Sequence, residues 1–72
     1  MPPSSGTCAA SQAQWAIGRA ATSEVLEQAR IDASAAIARF LRPNQPITTE
    51  YSGARLNLYV NAKDVVEGVV CG

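Results

Sequence analysis

Apolar positions change their period along this chain, and each change marks an element. Over 8–17, CAASQAQWAI, alanines, a tryptophan and an isoleucine recur near helical spacing, and Gly18 follows where a C-cap belongs, which predicts a short helix. Trp15 should pack inward, since a lone indole in a small chain serves far more often as a core anchor than as a ligand platform. A second stripe, Val25, Leu26, Ala29 and Ala33, starts just after Thr22 and Ser23, either of which is a natural N-cap. Glu24 and Glu27 fall in its first turns, where the helix dipole favours acids. The main helix is therefore predicted over 23–34, with Glu24, Glu27, Gln28, Arg30 and Asp32 on the solvated face and Ile31 at the edge of the stripe.

From residue 36 the pattern shortens. AIARFL, 36–41, is a short apolar run stopped by Pro43; it reads as a strand of ambiguous facing, with continuation of the helix as the alternative. Over 54–61, Leu56, Leu58 and Val60 alternate with Arg55, Asn57 and Tyr59, the period of two of a half-buried strand. Residues 62–64 make a turn, and 65–71, VVEGVVC, form a last strand interrupted at Gly68 by a bulge or a close backbone approach. The last two strands should pair as an antiparallel hairpin, while the long connection after 36–41 permits a parallel pair with 54–61.

That connection has its own logic. Pro43 and Pro46 fix φ at about −65° and push Arg42 and Gln45 toward extended conformations. Ile47, Thr48, Thr49 and Tyr51 favour strand-like backbone, but Ser52-Gly53 breaks the run before a regular strand can form. The loop 43–54 thus presents an extended backbone, which suits a binding loop.

Composition narrows the function classes. With 72 residues the chain makes one domain, whose core is marginal unless something staples it. Cys8 and Cys71, near opposite ends, could be that staple, contributing roughly 4 kcal/mol in the loop-entropy model; the alternative is a pair of reduced, buried thiols. The small size and terminal placement favour the bond and hence an oxidising, extracytoplasmic compartment, periplasmic or secreted. The export signal such a protein needs is absent from this chain. Residues 1–7 hold nothing to bury and are expected to be a disordered tail, leaving 8–72 as a single domain.

Lys plus Arg and Asp plus Glu both number 6, so no charge excess steers the chain to nucleic acid or an anionic membrane, and no apolar stretch approaches membrane-spanning length. Without histidine there is no Ser-His or Cys-His nucleophile and no His-based zinc site. No spacing singles out an acid pair, and neither a phosphate-binding Gly-rich loop nor a CxxC is present. An enzyme is not expected, nor is a metal or cofactor.

ITTEY followed by ARLNLYVN is similar to the reactive-loop segment of potato inhibitor I type serine protease inhibitors. Taken with RP before the loop, the RLN triplet, the closing Cys71-Gly72 and an early partner cysteine, the chain from 8 to 72 resembles peptidase inhibitor family seventy-eight. This family comprises secreted inhibitors from bacteria and fungi, among them elastase inhibitors.

The resemblance implies an α+β fold, potato inhibitor I-like, with one main helix packed on a small mixed β-sheet and a long reactive loop along one edge. It implies substrate-like inhibition by a monomer through Ile47, Thr48, Thr49, Glu50 and Tyr51. Thr49 would enter the specificity pocket and the Thr49–Glu50 bond would meet the catalytic groups. Loop support would come from Arg55 donating to Glu50, with Thr48 supplying a hydroxyl nearby and Asn57 sharing the Arg55 face by parity. Family members often carry Gly where Asn44 stands and a large apolar or basic residue where Thr49 stands. A small β-branched side chain suits the shallow pocket of an elastase-like or subtilisin-like enzyme. The alternative is a non-inhibitory exported domain of the same fold that uses the loop to bind another protein.

Overall fold

Alanine spacing decides the first element. In a computed structural model, which describes residues 8–43 and 53–72, Ala10–Ala16 form a 3-10 helix rather than an α-helix. In 3-10 geometry side chains three apart eclipse one another. Ala10, Ala13 and Ala16 share that spacing, and Ala13 and Ala16 are wholly buried, so a line of methyl groups lets the backbone approach the sheet closely. Gln14 bridges the two, its Nε2 donating to the Ala10 carbonyl at 3.0 Å and to the Val69 carbonyl at 3.2 Å. Gly18 ends the segment at φ +90°, as a left-handed glycine should.

Helix α1, Ser23–Asp32, begins at Thr22, whose Oγ1 accepts from the Val25 N–H at 3.2 Å. It ends two residues before the predicted 34. Ser34 adopts φ +57°, the Ala35 N–H donates to the Arg30 carbonyl and the Ser34 N–H to the Ile31 carbonyl, together a Schellman stop. A serine, not a glycine, fills the left-handed position, so the composition does not announce the stop. Ala29 and Ala33 of the predicted stripe are fully buried, Val25 and Leu26 half-buried, and Ile31 is exposed. Trp15 packs half-buried against the core and its Nε1 donates to Asp32 Oδ2 at 2.9 Å, joining the two helices.

Three strands follow: β1 (Ile37–Leu41), β2 (Arg55–Val60) and β3 (Val66–Cys71), in sheet order β1-β2-β3. β1 pairs parallel with β2, and β2 antiparallel with β3, so the sheet is mixed as expected and 37–41 is a strand. Leu56, Leu58 and Val60 face the helices and are at most 1% exposed. Register slips by one residue on β3, where Tyr59 pairs with Gly68 but Val60 with Val66. Glu67 is the additional residue, and it allows both Val66 and Val69, three apart, to point into the core. The interruption expected at Gly68 is thus a bulge beside it, while Gly68 itself lies against Tyr59.

The outer edge of β3 is covered at its start. Gly18 N–H donates to the Val66 carbonyl, Val66 N–H to the Arg19 carbonyl, and Ala20 bridges Val65. Cys8 and Cys71 are disulfide-bonded with their Cα atoms 5.8 Å apart, which rules out the reduced pair. The tail expected over 1–7 lies outside the described residues.

Candidate functional site

Strand alternation gives the sheet two unlike faces. Opposite the helices, β2 carries Arg55, Asn57 and Tyr59, and the register sets Ile37, Arg39 and Leu41 beside them on β1. Alternation alone would leave Asn57 facing outward and wet, yet it is 4% exposed. Both ends of its amide are engaged: Oδ1 accepts from Arg39 Nε at 2.7 Å, and Nδ2 donates to the Gly72 carbonyl at 3.0 Å. Arg55 Nε donates to the same carbonyl at 2.6 Å, and the Gly72 N–H returns a bond to the Arg55 carbonyl at 2.9 Å. A carbonyl oxygen has two lone pairs and here receives two donors, one of them charged.

The result is a polar base on an otherwise apolar sheet. Arg39 orients Asn57, and Asn57 with Arg55 pins Gly72 across the end of β2. Arg55 and Asn57 are brought together, as parity implies. Arg39 and Gly72 were missed as members of this group. Gly72 stood in the sequence only as half of a Cys-Gly motif, and Arg39 becomes Asn57's neighbour only through the parallel register, which no local pattern reveals.

The connection 42–54 leaves and rejoins the sheet at opposite ends of the parallel pair. Where it leaves, the Arg42 guanidinium lies over the Phe40 ring, 5.9 Å from its centroid, and forms an ion pair with Asp64 of the β2–β3 turn. Where it returns, the Gly53 carbonyl accepts from the Cys8 N–H at 2.8 Å and the Ala54 carbonyl from the Ala36 N–H at 2.8 Å. The disulfide is therefore next to the returning end. Asn44, Ile47, Thr48, Thr49, Glu50 and Tyr51 lie outside the described residues; of the connection, Arg42, Pro43, Gly53 and Ala54 are described. Among the described residues no group of His, Cys, Asp or Glu could hold a metal ion.

The sequence profile of the Peptidase inhibitor I78 family matches residues 8–72. The chain belongs to this family. A solved structure of the elastase inhibitor AFUEI (crystal form II) is 30% identical to it and covers 89% of this chain and 88% of that chain, with a TM-score of 0.70. Among curated proteins none matches the chain. Membership makes this a non-enzymatic inhibitor of peptidases, and the α+β architecture is that of the elastase inhibitor. The matched span starts at Cys8 and ends at Gly72, the two residues that tie the chain's ends to β3 and β2. Among the described residues no helix is long and apolar enough to cross a membrane.

Proposed function

We propose that the domain over 8–72, with 1–7 as its tail, inhibits secreted serine peptidases in a substrate-like manner, presenting the Thr49–Glu50 bond from the loop 43–54. An extended segment enters a peptidase cleft as an added strand, with its main chain supplying affinity and its side chains specificity. Inhibition then requires that the two sides of the presented bond stay in register after attack, so that re-closure outcompetes release. Rigidity of the bound conformation is what the scaffold must provide.

The observation that carries this reading is the polar base: Arg55 and Asn57 on the sheet face opposite the helices, locked to Gly72 and Arg39 close to where the loop returns. Arg55 Nε is committed to Gly72, and in this reading its Nη groups meet the Glu50 carboxylate in a charge-assisted fork. Ile47 and Thr48 fill the sites before Thr49, and Tyr51 the site beyond Glu50. A small residue at Thr49 favours the shallow pockets of elastase-like and subtilisin-like enzymes, and the likeness to an elastase inhibitor points the same way. The disulfide fits an extracytoplasmic location, and the protein acts as a monomer.

Titration against elastase-, subtilisin-, chymotrypsin- and trypsin-type enzymes tests the reading, with mass spectrometry of the inhibited complexes. Inhibition of the first two classes ahead of trypsin, with slow cleavage after Thr49, is expected. Cleavage at another bond would displace the site, and inhibition of no enzyme in the panel would leave a protein-binding domain of the same fold.

A further inference from the structure

The two flanks of the 42–54 connection are held by different means. Backbone hydrogen bonds from Cys8 and Ala36 fix the returning end, whereas at the departing end side chains do the work, through Arg42 stacked on Phe40 and paired with Asp64. Asp64 is distant in sequence and belongs to the β2–β3 turn. Its φ is +61°, a left-handed conformation that disfavours a residue with a Cβ, although aspartate tolerates it better than most.

The turn itself makes no demand for a carboxylate there. Asn61 Oδ1 accepts the N–H groups of Lys63 at 2.8 Å and Val65 at 3.1 Å, which closes the turn from its first residue. The Asp64 N–H donates to the Asn61 carbonyl, and the Asp64 carbonyl accepts from the Ala21 N–H just ahead of α1. With its backbone tied on both sides, Asp64 offers its carboxylate to Arg42 from a fixed platform. Glycine or asparagine would suit that backbone at least as well.

The geometry points to Asp64 as a positioning residue for the inhibitory loop: it clasps Arg42 immediately before Pro43 and so sets the direction in which the chain leaves β1. This deepens the inhibitory reading and rests on it, adding a second anchor at the opposite flank from Arg55. The paired side chains are 46% and 68% exposed, so the clasp adds little to global stability. Its effect falls on the local order of the segment that follows.

Asp64→Gly and Asp64→Asn test this, because both accept the left-handed backbone and both remove the charge. Expected are an unchanged or raised melting temperature, amide hydrogen exchange across 42–53 faster by about two- to fivefold, and inhibition of a sensitive panel peptidase weaker by a similar factor. Combining either variant with Arg42→Gln should cost less than the sum of the single changes, since the Arg42–Asp64 pair is lost in each, while Arg42→Gln alone also loses the stack on Phe40. Unchanged exchange in both variants would overturn the clasp. Faster exchange with undiminished inhibition, or a fall in melting temperature that tracks the loss of inhibition in both variants, would overturn the positioning role. A parent chain that inhibits no peptidase, with exchange still accelerated in the variants, would sink the inhibitory reading and leave the clasp standing.

Discussion

Asn57 is the buried polar side chain among the described residues, and its burial is affordable only because both ends of its amide have partners. Asn57→Ala would strip Arg39 Nε of this acceptor and the Gly72 carbonyl of one donor. Urea unfolding should show a loss of about 1–3 kcal/mol, the usual cost of orphaning buried polar groups; an unchanged midpoint would mean that water substitutes freely there. Arg55→Ala should behave differently. Arg55 is half-buried at the strand's first position, so the fold should persist while the Thr49–Glu50 bond loses its proposed support, through a charge-assisted bond of about 1.5–3 kcal/mol. A slowly cleaved inhibitor should become a readily cleaved substrate, seen by mass spectrometry as accumulation of chain cut after Thr49. Persistent tight inhibition by an uncut Arg55→Ala chain would reduce Arg55 to a structural partner of Gly72. In the sequence, Arg55 and Asn57 were legible by parity and family likeness; Arg39 was not, because its role depends on a strand register set eighteen residues away.

Among the elements, two positions of left-handed backbone should respond with opposite signs. Gly18 sits at φ +90° with open space around its missing Cβ, so Gly18→Ala meets no clash yet should cost about 1–2 kcal/mol in backbone strain. Ser34, at φ +57° in the α1 stop, already bears that strain, and Ser34→Gly should stabilise by about 0.5–1 kcal/mol. Thermal unfolding of the two variants checks both, and equal signs would mean that contacts rather than φ govern these sites. The same positions explain how well the elements could be read. Gly18 marks its segment's end openly, and the segment stops at Ala16, one residue short of the expected 17, while Ser34 gives no such mark and the predicted helix ran two residues too far. The alanines at 10, 13 and 16 fit a helix of either kind, and packing against β3 selected the tighter 3-10 form.

For the whole molecule, the disulfide joins residues 63 apart in sequence and so restricts nearly the entire unfolded chain. Loop entropy assigns it roughly 4 kcal/mol, and a chain of this size moves by about 4–8 °C per kcal/mol, so reduction should lower the melting temperature by about 15–30 °C. A shift of a few degrees would show that the core carries the fold unaided. The sequence by itself determined the order of the elements and the inward set Leu56, Leu58 and Val60, because both follow from local spacing, and it narrowed the helix cap to Thr22 or Ser23 and the staple to one cysteine pair. Only the tertiary structure decided the register of β1 on β2, the slip at Glu67, the burial of Asn57 beneath Arg39 and Gly72, and the pairing of Arg42 with Asp64. These join residues far apart in sequence, and which of many possible partners meet is fixed by how the helices and sheet pack together, a choice that no short stretch of chain can encode.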